Sequence, residues 1–147
     1  MRTKVTVAAL TLVAFASACA SASAAHENLG VRIVSTDGFY IDNDPAGQSG
    51  GDLFGSEGAV HRGGERVGRF ASACTATSDH GGECNASFVL SGRGRLQLAG
   101  IIRPLAADNH LPIIGGSGDF RGATGRADLH ALVPDGSKQR VQLHISR

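Results

Sequence analysis

The sequence has no tryptophan, and aromatic residues make up only 5% of its 147 positions. It also lacks an excess of either charge: 14 Lys+Arg stand against 13 Asp+Glu. Without Arg2 and Lys4, which lie in an N-terminal stretch read below as removed, the balance is 12 to 13, a net charge of −1. A chain so close to neutral has no overall basic field for a nucleic-acid backbone and no acidic tail. Beyond position 24 no apolar run approaches the roughly 20 residues that a bilayer requires, so no membrane span is expected there. Helical periodicity is missing too. Nothing after Ala25 sustains apolar residues at i, i+3, i+4 and i+7 over a dozen positions. What is abundant is glycine, 21 residues. Leu, Ile, Val and Phe account for 29 of the 123 residues after position 24, above the roughly 20% below which disorder is the default. A turn-rich β domain is the class that fits.

Residues 1–24 read MRTKVTVAALTLVAFASACASASA. A positive start at Arg2 and Lys4, an apolar run from Val5 to Ala18 and the small-x-small site Ala22-Ser23-Ala24 follow in the order of a secretory signal peptide. Cleavage is expected after Ala24 or Ala25, leaving one exported domain over 25–147. A transmembrane anchor is the competing reading, but the run is too short. Lipid attachment at Cys19 is another, since Ala16-Ser17-Ala18-Cys19 resembles a lipoprotein box, although such boxes usually begin with Leu. Of the three cysteines, Cys74 and Cys84 remain after cleavage. Their spacing does not suit a closed zinc site, and an even pair in an oxidising compartment implies a disulfide.

Eight short runs alternate with period two between glycine-rich breaks: about 29–35, 52–61, 66–77, 83–91, 94–102, 109–115, 122–133 and 139–146. Residues 36–51, STDGFYIDNDPAGQSG, are too polar for a central strand. Eight strands in this length imply an antiparallel barrel or sandwich. If Cys74 faces Cys84 across an antiparallel pair, Phe70 faces Phe88 and Ser72 faces Ala86, which sets two aromatics on one face. A turn at Ser91-Gly92-Arg93-Gly94 would then pair Leu90 with Leu96 and Phe88 with Leu98. Later, Ala127, Leu129, Ala131 and Val133 share one face and Arg126, Asp128 and His130 the other; Val141, Leu143 and Ile145 oppose Gln142 and His144.

The segment Ile113-Ile114-Gly115-Gly116-Ser117-Gly118-Asp119-Phe120-Arg121-Gly122-Ala123-Thr124-Gly125-Arg126-Ala127 resembles the allene oxide cyclase family and, less closely, the plant dirigent proteins. Both carry a Gly-Gly-(Ser/Thr)-Gly-x-Phe-x-x-Ala-x-Gly pattern late in the chain. Gly51-Asp52-Leu53-Phe54, Arg66-Val67-Gly68 and Leu96-Gln97-Leu98-Ala99-Gly100 fall in matching order, so the resemblance spans roughly 36–145. It implies an eight-stranded antiparallel β-barrel of the calycin type with an apolar pocket, usually a homo-oligomer (dimer or trimer). Related bacterial barrels include cyclases that shape polyketide chains. The family's chemistry does not carry over residue by residue. Where the plant cyclases have a pocket Glu, an Asn and a Ser-Pro pair, this chain has Thr36, Gly38, Asp44 and Pro45, and only the proline matches. At the positions of the Asp and Arg near the dirigent glycine motif it has Gly118 and Thr124, with Asp119 and Arg121 adjacent.

Other site patterns fail. The glycine run lacks the Lys-Ser/Thr of a phosphate loop, and glycines that permit positive φ for barrel closure explain it better, with Phe120 plugging the barrel end. Asp42, Asp44 and Gly47 loosely match a calcium loop, but Ala46 and Leu53 occupy ligand positions. His130 and His144 could face each other on neighbouring strands, yet no third zinc ligand is evident, and a surface pair is the simpler reading. There is no G-x-S-x-G elbow. Asn85-Ala86-Ser87 is a glycosylation sequon, informative only in a eukaryotic secretory route. Two functions remain: a pocket catalyst that cyclises or isomerises a hydrophobic small molecule by holding it in a reactive fold, and an exported barrel that carries such a ligand unchanged. The candidate catalytic residues are Asp44, Arg103 and Asp119 at the rim; the candidate pocket residues are Pro45, Phe70, Phe88, Leu98 and Phe120. No metal or cofactor is expected.

Overall fold

The computed structural model describes residues 25–78, 80–104 and 106–147; the expected signal segment and Cys19 lie outside the described residues. The chain forms eight strands: β1 (His26–Ile41), β2 (Leu53–Arg62), β3 (Glu65–Ser78), β4 (Gly81–Leu90), β5 (Gly94–Ile102), β6 (Asp108–Gly118), β7 (Thr124–Ala131) and β8 (Lys138–Ser146). Each is antiparallel to the next, and β1 closes on β8, so the expected eight-stranded barrel forms. Closure leaves no free sheet edge along the paired lengths. The described residues contain no helix.

Alternation explains which face turns inward. Leu29, Val31 and Ile33 of β1 and Val141, Leu143 and Ile145 of β8 are buried, while Gln142 and His144 look outward. The β3–β4 register is the expected one. Cys74 faces Cys84, and the bond between them is formed; Ser72 faces Ala86; Phe70 faces Phe88, with ring centroids 6.2 Å apart. Gly58 stands opposite Phe70 on β2, and a Cβ there would strike the Val34 carbonyl and the Phe70 ring.

Two expectations need correction. In the β4–β5 hairpin Leu90 pairs with Gly94, Phe88 with Leu96 and Ala86 with Leu98, two residues from the expected register. The turn is tighter than the sequence suggested: the Arg93 N–H donates to the Leu90 carbonyl at 3.0 Å, and Gly94 already belongs to β5. A two-residue offset leaves every side chain on its expected face, because the pleat repeats every two residues. The first run was expected to end near residue 35, with the stretch beyond it too polar for a central strand; β1 in fact runs to Ile41, past a bulge between Ser35 and Asp37. Its pairing with β8 ends at Val34 and continues with β2 alone. This half of β1 has one partner rather than two, so polar residues there are not trapped between neighbours.

The two ends of the barrel differ. The end reached by the loops after even-numbered strands is packed solid. Phe120 is fully buried there. The Arg93 guanidinium lies 4.7 Å from its ring centroid and forks onto Glu27 at 2.7 and 2.9 Å; Arg147 also reaches Glu27, at 2.7 Å. Stacking and bidentate pairing together make Arg93 more than a surface charge. The Arg93 hydrogen bonds hold the Glu27 carboxyl below the usual range. The glycine motif serves this plug: Gly118 takes φ +65°, and a Cβ on Gly116 would meet the Phe120 Cβ at 2.7 Å.

Candidate cavity at the open end

At the other end, reached by the loops after odd-numbered strands, the barrel is hollow. Its cavity has a volume of about 400 Å³. The inward positions explain the void. In the packed half they carry Leu96, Leu98, Val141 and Leu143; towards the open end, β1, β2 and β3 place Ser35, Ser56 and Ser72 there instead. Short side chains leave the space that branched aliphatics fill below. Ile33, Phe70 and Phe88 line the cavity, Leu111 and Leu129 belong to the β6–β7 wall, and the Cys74–Cys84 bridge also lines it.

The polar groups on this surface already have work. The Ser72 hydroxyl donates to the Ser56 carbonyl at 3.3 Å and accepts from the Ser56 N–H at 3.3 Å. Asn109 staples the β5–β6 loop: its Oδ1 accepts from the Arg103 N–H at 2.7 Å, and its amide donates to the Arg103 carbonyl at 3.1 Å. The Gln139 amide donates to the Gly136 carbonyl at 3.0 Å in the β7–β8 loop. Asp37 accepts from the Gly38 N–H at 2.8 Å, and Asp135 from the Ser137 N–H at 2.9 Å. That amide holds the Asp135 carboxyl below its ordinary value. Asp37 and Asp135 are the ionisable residues among the described lining, and both are exposed; Asp37 pairs with Glu57, which turns its carboxylate to the outer face of the sheet.

Above the cavity, the β1–β2 loop is tied down by Asp52, the one polar residue among the fully buried side chains described. It accepts from the Tyr40 hydroxyl at 2.6 Å, the Ser49 N–H at 2.7 Å and the Asn43 N–H at 2.9 Å. These bonds, the tyrosine's first, hold Asp52 below the usual carboxylate range, and the bond to Asp52 pushes the Tyr40 hydroxyl up to about 12. Both groups keep one protonation state near neutrality, which suits an anchor and not a proton shuttle.

The candidate residues from the sequence are dispersed. Phe70 and Phe88 line the cavity. Leu98 and Phe120 are wholly buried in the packed half and lie outside the lining. Asp44 and Pro45, joined by a cis peptide bond, sit exposed in the β1–β2 loop and do not line the cavity. Arg103 is exposed in the β5–β6 loop. Asp119 is at the plugged end, 3.4 Å from Arg93. The three charged candidates are therefore not one constellation, since Asp119 follows an even-numbered strand and the other two follow odd-numbered ones. Asp37, Asp135, Ser56, Ser72, Asn109 and Gln139 were not singled out in the sequence. Ser72 had its register from the sequence, opposite Ala86, but no place among the pocket candidates.

The outer histidines do not form the facing pair that a metal site would begin from. His144 faces Arg126, and His130 faces Arg140, so the two imidazoles are not opposite each other. Carboxylates engage them instead: Asp128 bonds His110 at 2.8 Å and His144 at 2.9 Å, and Asp108 bonds His130 at 2.7 Å. Among the described residues no group of three His, Cys, Asp or Glu is placed to hold a metal ion.

No protein-family model matches the sequence, and no curated protein matches it significantly. Solved structures do share its shape. A pyocyanin demethylase superposes with a TM-score of 0.72 at 18% identity, covering 81% of this chain and 99% of its own. A pterocarpan synthase dirigent protein gives 0.70 at 14% identity, with 99% of each chain covered. A Diels-Alderase from Streptomyces koyangensis gives 0.63 at 14% identity over 87% of this chain and 71% of its own. The expected likeness to dirigent and cyclase barrels holds for the fold.

Proposed function

We propose that the chain is an exported barrel that takes one hydrophobic small molecule into its open-end cavity and steers its cyclisation or isomerisation by holding it in a reactive shape. The observation that carries this reading is the cavity itself: apolar at its base, about 400 Å³ in volume, and with two exposed aspartates as the ionisable residues of its described lining. Such a site has little with which to perform acid–base chemistry. It can still accelerate a unimolecular ring closure, because fixing a flexible substrate near its reactive geometry is worth several kcal/mol. The dirigent and Diels-Alderase neighbours support this direction.

A second reading, carriage without chemistry, is favoured by the engaged state of the polar lining groups: Ser72, Asn109 and Gln139 all bond the protein's own backbone. Export is supported by the disulfide and by the position of β1, which begins at His26, just after the expected cleavage site. For a homo-oligomer, dimer or trimer, the supporting feature is the exposed apolar trio Phe39, Leu53 and Ile101.

Titration with the neutral fluorophore 1-aminoanthracene tests the cavity. Saturable micromolar binding that is lost in Ser72→Trp is expected. Absence of saturation, or full binding by Ser72→Trp, would refute the reading. Ligands recovered from the expressing host then separate the two functions: a catalyst returns a mixture rearranged in ring connectivity, and a carrier returns its ligand unchanged.

A further inference from the structure

We propose that the cavity takes ligands bearing an uncharged oxygen, a hydroxyl or a carbonyl, on one edge of an apolar ring, and that the Ser35 and Ser56 hydroxyls receive that oxygen. The inference rests on the cavity reading above and adds the polar function that the ligand carries.

The void has two unlike walls. On β6 and β7 its lining is Leu111, Leu129 and Ala131, an apolar surface. On the β1–β3 side the inward positions towards the open end are Ser35, Ser56 and Ser72. Alternation sets them inward: Ser35 follows the buried Ile33 by two residues, and Ser72 lies between Phe70 and Cys74, which also line the void. Ser56 stands opposite Ser72 on β2. Two residues of strand, about 7 Å, separate Ser72 from Phe70 of the aromatic base. A ring lying against Phe70 and Phe88 therefore brings one edge to the level of the serines.

The three hydroxyls are not equally occupied. Ser72 is committed: it donates to the Ser56 carbonyl and accepts the Ser56 N–H, both at 3.3 Å. The Ser56 hydroxyl meets the Ser72 hydroxyl at 3.4 Å, long beside the roughly 2.7–2.8 Å usual between hydroxyls. Gly38, which faces Ser56 from β1, has no side chain to cover it. Among the described residues no hydrogen bond holds the Ser35 hydroxyl, although the Ser35 N–H is engaged by the Ser137 carbonyl at 2.8 Å. A serine hydroxyl offers one donor and two acceptor sites, so these two can meet either a hydroxyl or a carbonyl. Asn109 does not compete for that role, since it spends its oxygen and its amide on the Arg103 backbone.

A ligand that fills the void strips water from the Ser35 and Ser56 hydroxyls. A hydrocarbon leaves them unpaired, whereas an oxygen at that edge restores the lost bonds. The site thus discriminates hydroxyl from methyl at one position, in the direction opposite to simple partition, because an apolar medium prefers the methyl.

Two molecules of one shape test this: 2-naphthol and 2-methylnaphthalene, each displacing 1-aminoanthracene from the oxidised protein at pH 7. 2-Naphthol should bind about three- to ten-fold more tightly. In Ser35→Ala/Ser56→Ala, which keeps the Ser72 bonds to the backbone of residue 56, that preference should vanish or reverse, while 2-methylnaphthalene binds at least as tightly as to the parent. Equal or tighter binding of 2-methylnaphthalene by the parent, or an unchanged preference in the double variant, would overturn this inference and leave the cavity reading intact. If 1-aminoanthracene does not saturate the parent, the cavity reading falls and this inference with it.

Discussion

Reducing the Cys74–Cys84 bond removes one cross-link and leaves every other atom in place, so it isolates what the bridge contributes. The two cysteines are 10 residues apart. Loop-closure entropy for a segment of that length is about 9 cal/mol/K, or about 2.7 kcal/mol at 25 °C. For a domain of this size each kcal/mol moves the melting temperature by roughly 3–5 °C, so reduction should lower it by about 8–13 °C. The cysteines are 5% and 1% exposed, so the native state gains little from solvating the freed thiols. The loss should therefore be close to the entropic figure. Urea unfolding with and without reductant gives the free energies, and the slope against urea should be slightly larger for the reduced chain, whose unfolded ensemble is less constrained. The reasoning is refuted if reduction costs less than about 1 kcal/mol, because the hairpin would then be held by its ladder and aromatic pair alone.

Two other perturbations probe the plugged end. Phe120→Ala should destabilise by about 3–5 kcal/mol, since a fully buried ring under the Arg93 guanidinium leaves a hole in the packed half; an effect below about 1 kcal/mol by urea unfolding would contradict this placement. Glu27, held below its ordinary value chiefly by the Arg93 hydrogen bonds, contributes stability above an unfolded value of about 4.3, and that contribution is lost as the pH falls through the depressed folded value. Urea midpoints measured from pH 7 to pH 3 should thus fall less steeply for Glu27→Gln than for the parent, and parallel curves would contradict the assignment.

Much of the barrel is written in the alternation of side chains. All eight strands were legible because a period of two, bounded by glycine-rich breaks, has few other readings, and the Cys74–Cys84 pair fixed one register outright. Alternation cannot detect a shift of two, which is why Leu90 was paired with Leu96 when it faces Gly94. It also misjudged the end of β1, because polarity disfavours a strand with two partners and not one with a single partner. The cavity was less legible. Residue type alone points to the charged candidates and is blind to barrel parity: in an up-and-down barrel, loops after odd-numbered and even-numbered strands lie at opposite ends. That rule alone separates Asp119 from Arg103 and Asp44. The serines that make the hollow attract no attention in a linear reading. Their effect comes from what they fail to fill.

The central claim is an open, ligand-sized void in one half of the barrel, and a crystal structure of the oxidised chain soaked with 1-aminoanthracene tests it most directly. The account predicts density for the ring inside the barrel, against Phe70 and Phe88 and beneath Ser72 and Leu129. Density only on the outer surface, or side chains filling the space between those residues, would contradict it.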